Sequence, residues 1–491
     1  MSRLRISLAI TFLSTNGATV VLFLVTLALS RLLSPADVGI FSITAVLVGI
    51  AQVFRDFGVS SYLLQEKDLT PAKIRSASGV LIAASWTLGA AMFLASGAAA
   101  RYFQQPGVEQ VMQVLATGFF FIPFGAITHV LLTREMRARE QAIVTVAGTA
   151  AYALSALVLA YKGFGYMSMA WANLINIVVT GLAYSFYRPR NAPWMPSFSG
   201  WGRVSHFGAG SIIAGCVGQI NVALPDLVLG KLSGPHDVGI FSRSHATAWI
   251  FMQVAGPAVN YAAVPYLATL HHKGESLHLT LAKAVSYLTV CGWVPLLLTA
   301  MFAEEVILLL YGSTWIECAR VVPWLCGITA IGMAFNFHGA GLLAVGRPFW
   351  AIIPNLIYLL VRLGAVFAVF DGTLISFTYG LVLASIVTIP VGICIQRRFF
   401  GMDIRHFLAA LLPSGMITLA CGAVALLIRF AVPIAWPIPA KAVLVVVCTG
   451  VVWLFTLVLL RHPFVAEIER IGVRYPLAKW LLRMARCGRR A

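Results

Sequence analysis

Apolar runs of about twenty residues recur along this chain from Leu8 to Leu460, roughly one in every 35 positions. A run of that length, wound as helix, crosses a hydrocarbon core of about 30 Å. In lipid every backbone N–H and C=O must be satisfied within the protein, so only helices and closed barrels can span. A barrel would show short alternating segments with a polar lumen face, and none is present. Composition agrees: 491 residues that are 60% hydrophobic and 11% charged cannot enclose themselves in a water-facing surface. The expected fold is an all-α, polytopic membrane protein with about fourteen transmembrane helices. They are placed at 8-33, 38-62, 76-100, 108-132, 141-161, 166-187, 204-230, 238-268, 280-302, 318-344, 348-370, 374-396, 407-432 and 440-460.

The charges test that placement, because inner loops should hold the excess of Lys and Arg. With the N-terminus inside, 25 of the 35 cations fall on the cytoplasmic side, eight of them after Leu460, and seven fall outside among a matching number of acids. Both termini are therefore expected on the cytoplasmic side of an inner membrane. The net charge of +18 is divided among many loops, which reads as a topology signal and not as a nucleic-acid footprint. The first run is longer than a signal peptide's core and is kept as a span, although Ala28 to Ser30 weakly resembles a cleavage site. The eight cysteines form no CxxC pair and read as small packing residues. His271, His272 and His278 read as a solvated loop with metal binding as the alternative, so no metal or cofactor is expected. With no phosphate-cradling glycine loop, no serine elbow and no long outer loop, an enzyme is not expected.

The chain also contains an internal repeat. Leu33-Ser34-Pro35-Ala36-Asp37-Val38-Gly39-Ile40-Phe41-Ser42 returns as Leu232-Ser233-Gly234-Pro235-His236-Asp237-Val238-Gly239-Ile240-Phe241-Ser242, 200 positions on. A shared turn would explain the proline, which presets φ, and the aspartate, which suits a helix N-terminus. It would not explain the identity of Val-Gly-Ile-Phe-Ser. Duplication does, and the even number of spans between the copies gives parallel halves. The expected organisation is two parallel six-helix lobes, 1-187 and 204-396, joined by a cytoplasmic linker at 188-203. A C-terminal helix pair at 407-460 and a basic tail at 461-491 follow. In that tail Leu477, Trp480, Leu481 and Met484 share one helical face; a plain positive-inside signal is the preferred reading, with seating on the inner leaflet the alternative.

Asp226, Gly230, Gly239, Phe241, Ser242 and Arg243 stand at a spacing that resembles bacterial polysaccharide transporters. These are the oligosaccharide flippases of the multidrug/oligosaccharidyl-lipid/polysaccharide exporter superfamily. Asp56-Phe57-Gly58 followed by Leu63-Leu64-Gln65, Gly312 with Trp315, and Gly346-Arg347-Pro348 are similar to further turns of that family. The resemblance covers roughly residues 30 to 350. Phe241 stands where the family usually has tyrosine, and Ser244-His245 where Arg-Ala often follows. The resemblance implies alternating-access movement of a polyprenyl-pyrophosphate-linked oligosaccharide to the outer leaflet, for an exopolysaccharide, capsule or lipopolysaccharide. It also implies membrane lipid and the polysaccharide-assembly machinery as partners. A cation-coupled multidrug exporter of the same superfamily, or a membrane-embedded glycan polymerase or ligase, are the alternatives.

Such a substrate needs cations for its head and hydrogen-bonding groups for its glycan. Arg55, Arg243 and Arg362 lie within or at the ends of spans, where an ionisable group is a functional candidate because its insertion is costly. Arg55 and Arg243 could instead snorkel to their interfaces. Asn16, Gln52, Gln219, Asn221 and Gln253 in spans 1, 2, 7 and 8, with Asn173 and Asn176 in span 6, are the polar candidates. Interhelical hydrogen bonding is the alternative for each. Asp226, beside Pro225, is the candidate for coupling to a cation.

Overall fold

The computed structural model describes residues 2–472 apart from 57, 191, 199–200, 274–276 and 434–435. The basic tail beyond Gly472, with its proposed amphipathic face, lies outside the described residues. Among the described residues there is no strand. Twelve helical segments of mean hydropathy 1.3 to 2.7 are long and apolar enough to cross a membrane. Helices Trp201–Leu232 and Pro235–His272, at the seventh and eighth expected spans, are 32 and 38 residues long and are not among those twelve. The chain divides into two compact units, Met1–Arg243 with Tyr311–Trp315, and Ser244–Leu310 with Ile316–Ala491.

The first unit holds α1 (Ser2–Leu32), α2 (Pro35–Asp56), α3 (Val59–Gln65), α4 (Pro71–Phe103), α5 (Pro106–Arg134), α6 (Ala138–Tyr161), α7 (Met167–Phe186), α8 (Trp201–Leu232) and the start of α9 (Pro235–His272). Apolar burial cannot drive helices together in lipid, so close approach at small residues and a few hydrogen bonds must do so. Accordingly, Gly125 of α5 faces Gly181 of α7, and Gly148 of α6 lies against Thr180 and Asn176 of α7. Asn176 donates from Nδ2 to the Gly148 carbonyl at 3.0 Å. It is thus an interhelical tie. The linker packs by its main chain on the start of α4: Ser197 N–H donates to the Arg75 carbonyl at 2.9 Å, and Arg75 Nε to the Met195 carbonyl at 3.2 Å.

The second span departs from expectation. The continuous helix expected over 38-62 stops at Asp56, because Gly58 takes a left-handed φ of 72° and the chain restarts as the seven-residue α3. Arg134 caps the end of α3, donating to the carbonyls of Leu63 at 2.9 Å and Lys67 at 3.2 Å. Glycine is the residue that adopts such a conformation without a Cβ penalty, so the break is written in the sequence.

The second unit holds the rest of α9, then α10 (Leu277–Met301), α11 (Ala303–Leu310), α12 (Cys318–Ala334), α13 (His338–Ala344), α14 (Pro348–Val369), α15 (Leu374–Val387), α16 (Ile389–Phe400), α17 (Ile404–Ala431), α18 (Ile438–Leu459) and α19 (Phe464–Gly472). Two expected spans are divided, 318-344 between α12 and α13 and 374-396 at Thr388, where Pro390 follows in the first turn of α16. The appended pair is fastened by a buried polar cluster. His462, 1% exposed, places Nε2 2.8 Å from Ser286 Oγ of α10 and 3.3 Å from Ser414 Oγ of α17. Thr289 Oγ1 donates to Ser414 Oγ at 3.0 Å. The residues just after the last span are therefore packed, with Phe464, Val465 and Ile468 lying against the apolar cluster of Val290, Val294, Ile417 and Cys421.

Candidate functional site

The two copies of the repeated turn meet inside the first unit. In the first copy, Ser34 Oγ donates to Asp37 Oδ2 at 2.6 Å and accepts from the Asp37 N–H at 3.2 Å, a reciprocal cap on the start of α2. Asp37 Oδ1 also takes the Tyr166 N–H at 3.1 Å, tying that start to the start of α7. The glycines of the copies then face each other's prolines. A Cβ on Gly39 would fall 2.6 Å from the Pro235 carbonyl carbon, and a Cβ on Gly239 would fall 2.7 Å from that of Pro35. The contact is reciprocal, so the sequence repeat is also a local pseudo-twofold. Its identity across 200 positions has a physical reason: each glycine is needed by the other copy.

Below this seam lie most of the expected polar candidates. Ser42, the last residue of the first copy, donates its hydroxyl to Asp226 Oδ2 at 2.8 Å across α2 and α8. Asp226 is thus a half-buried, hydrogen-bonded carboxyl. Arg243, 8% exposed, holds its guanidinium 5.6 Å from the centre of the Trp315 ring, and its charge reaches Tyr152 of α6. Trp315 is itself fully buried and donates Nε1 to the Ser30 carbonyl at 2.6 Å. Arg243 is therefore packed under the Gly312–Trp315 turn. Towards the other end of α2, Arg55 is half-buried beside Asp56, whose Oδ1 accepts from Ser60 Oγ at 2.6 Å.

Among the polar candidates, Gln219 lies against Gly49 of α2, one turn from the exposed Gln52. Asn16 and Asn221 donate to the carbonyls of Phe12 and Val217 on their own helices, at 2.8 and 3.0 Å.

In the second unit, Arg362 lies half-buried on α14. The ionisable groups that act on it, among the described residues, are Tyr358 one turn away and His245 of α9, and neither is a carboxylate. His245 is exposed and stacked on Trp249, with ring centres 5.9 Å apart and planes at 14°. Gln253, exposed, lies one more turn along α9. Sequence reasoning named Arg362 and Gln253 but not Tyr358, Trp249 or His245. The signal for His245 was available as the departure after Arg243, where a second cationic-capable side chain follows an arginine inside a span.

The sequence profile of the family described as "Polysaccharide biosynthesis protein" matches residues 28–320, more than half of the chain. This chain belongs to that family. The matched stretch contains both copies of the turn, Asp226, Arg243 and Trp315, whereas Arg362 lies beyond it. As a member of the polysaccharide biosynthesis protein family, the chain also aligns over three quarters or more of its length with curated relatives. It is 22% identical over 468 residues to the lipopolysaccharide biosynthesis protein WzxC of Escherichia coli K12, covering 93% of each. It is 25% identical over 447 residues to the succinoglycan biosynthesis transport protein ExoT of Rhizobium meliloti, covering 85% of this chain and 84% of the relative. The teichuronic acid biosynthesis protein TuaB of Bacillus subtilis is 20% identical over 392 residues, 76% of this chain and 78% of its own.

The fold is shared with the lipid II flippase MurJ in an inward closed conformation. The TM-score is 0.72 at 12% identity, over 92% of this chain and 99% of that one. It is shared also with an inward-facing multidrug-resistance transporter of the MATE family and MOP superfamily, at a TM-score of 0.63 and 16% identity over 76% and 93% of the two chains.

Proposed function

We propose that this chain moves a polyprenyl-pyrophosphate-linked oligosaccharide from the inner to the outer leaflet of the bacterial inner membrane, for an exopolysaccharide, capsule or lipopolysaccharide. The reading takes α8 and α9 as spans alongside the twelve apolar segments, fourteen in all, with both termini cytoplasmic. Lobes 1-187 and 204-396 alternate access around the substrate, 188-203 links them on the inner side, and 407-460 is the appended pair. Relatives named for the biosynthesis and transport of surface polysaccharides support the substrate class.

The observation that carries the reading is Arg362. A guanidinium at mid-membrane is expensive. Here no carboxylate acts on it among the described residues, so its counter-charge is left to be supplied by an anionic substrate. Guanidinium meets phosphate oxygens in bidentate geometry, which an ammonium cannot reproduce. Arg55 and Arg243 serve the inner and outer mouths, with Asn16, Gln52, Gln219, Asn221 and Gln253 supplying hydrogen bonds, and Asp226 is the group that would couple transport to a cation. An inside-negative potential favours outward passage of anions by about 2.3 kcal/mol per charge per 100 mV.

The test is complementation of a flippase-null strain at matched membrane expression. Arg362→Ala is expected to abolish polymer export and Arg362→Lys to retain part of it. Normal export by Arg362→Ala would overturn the assignment.

A further inference from the structure

Two divided spans of the second unit meet beyond their breaks. Helix α13 follows the interruption at 335–337, α16 follows the one at Thr388, and the two pack on each other. Phe400 of α16 lies against Gly341 of α13, where a Cβ would fall 2.6 Å from the ring's Cζ. Phe335, in the first break, lies against Gly392 of α16, where a Cβ would fall 2.7 Å from Cε1. The His338 ring neighbours both, with its centre 5.3 Å from that of Phe335 and 6.4 Å from that of Phe400.

Within this seam two buried polar side chains line one cavity. His338 is 8% exposed and Gln396 3%, and both border a space of about 10 Å³. Neither His338 Nε2 nor Gln396 Oε1 has a hydrogen-bond partner among the described residues, so they are not bonded to each other. Burying a polar atom unpaired is costly, and such atoms are satisfied by protein or by ordered water. The remaining walls, among them Phe337, Phe400 and Met402, carry no charge. A ligand for this space is therefore small, neutral and able to hydrogen-bond on two sides.

Water meets those terms. One molecule needs roughly 10–15 Å³ and at least two polar partners. It donates one hydrogen to Oε1, and at Nε2 it donates its other hydrogen or accepts, according to the imidazole tautomer. The break adds a further acceptor nearby. Ala334, the last residue of α12, borders the same cavity. The His338 N–H, which would take the Ala334 carbonyl in a continuous helix, donates to the Phe335 carbonyl at 3.2 Å instead.

We propose that His338 Nε2 and Gln396 Oε1 bind one water molecule, which ties the helix after one break to the helix after the other. The segments beyond the two breaks are then held as one piece, whatever substrate the protein carries.

The direct test is a structure of the purified full-length protein in nanodiscs at a resolution that shows ordered water. Density for one water is expected within about 3.2 Å of both atoms. A cavity without that density, or a direct bond between Nε2 and Oε1, would overturn the site. Thermal unfolding of His338→Phe, Gln396→Leu and the double variant tests the bridge in solution. Each single variant leaves the other polar group short of its partner and should lower the melting temperature by at least about 2 °C. The double variant removes both groups, so its loss should be smaller than the two single losses together. A double loss equal to or larger than their sum would overturn the bridge.

Discussion

Adding one methyl group at the seam between the repeated turns is a sharp perturbation. In Gly239→Ala the new Cβ would sit 2.7 Å from the Pro35 carbonyl carbon, and in Gly39→Ala 2.6 Å from that of Pro235, where real Cβ atoms keep beyond 3.0 Å. The obstacle in both cases is backbone, which cannot swing away as the tip of a side chain would. The carbonyl oxygens of the two prolines lie nearer still, so the starts of α2 and α9 must part by about an ångström or more. Overpacking of this kind costs about 1–3 kcal/mol, and the rigidity of the obstacle places it in the upper half of that range. The helix-propensity gain of Gly→Ala returns at most about 1 kcal/mol. That gain can be read separately from Gly450→Ala, where a Cβ would meet nothing within 4 Å.

Because the two contacts belong to one seam, parting it for the first substitution relieves the second. The double variant should then cost less than the two singles together, with a coupling of about 0.5–3 kcal/mol. The assay is thermal unfolding of the purified protein in one detergent, with the wild type, the two single variants, the double variant and Gly450→Ala in parallel. Unchanged stability in either single variant would refute the close approach, and strict additivity would refute the shared seam.

Acid sensitivity should centre on His462. Its Nδ1 accepts the Phe464 N–H at 3.1 Å, so the neutral ring carries its hydrogen on Nε2, and burial pushes its pKa down to about 4. A group whose folded pKa lies below its unfolded value of about 6.5 gives stability that is complete above pH 6.5 and is lost as pH falls towards 4. The full loss is about 3 kcal/mol, and His462→Gln should flatten the melting temperature over that window; an equally steep fall in the variant would contradict the assignment. For topology, cysteines at Glu304 or Asp371 should react with an impermeant thiol reagent from outside, and those at Arg137 or Arg398 should not. The reverse pattern would invert the proposed orientation.

Much of the helical framework is legible in the sequence, because spans in lipid announce themselves by length and apolarity. The breaks are legible only in part. Gly58 marks the end of α2 as a glycine can, whereas the interruption at Phe335–Phe337 has no proline or glycine of its own and depends on packing around Phe335, His338 and Phe407. The repeat was readable as identity, but its purpose was not. Nothing in one strand of text says that Gly39 must accept Pro235, since that demand arises only when the two copies meet.

Charged candidates were found by their rarity in apolar runs, and the structure then separates them by environment. Arg243 is packed on Trp315, Arg55 sits beside Asp56, and Arg362 is left with Tyr358 and His245. Polar aromatic residues such as Tyr358 and Trp249 gave no signal, because at those positions they are indistinguishable from ordinary span residues.

Translocation itself is measured most directly in proteoliposomes that contain the purified protein and a fluorescent polyprenyl-pyrophosphate-linked oligosaccharide, with a membrane-impermeant reductant added outside. When substrate starts in both leaflets, the wild type should carry the shielded inner fraction into the quenchable pool within the assay. Arg362→Gln, reconstituted to the same density, should leave about half of the signal protected, as protein-free vesicles do. A wild-type preparation that leaves that half protected, or an Arg362→Gln variant that empties it as fast as the wild type, would contradict a flippase built around this arginine.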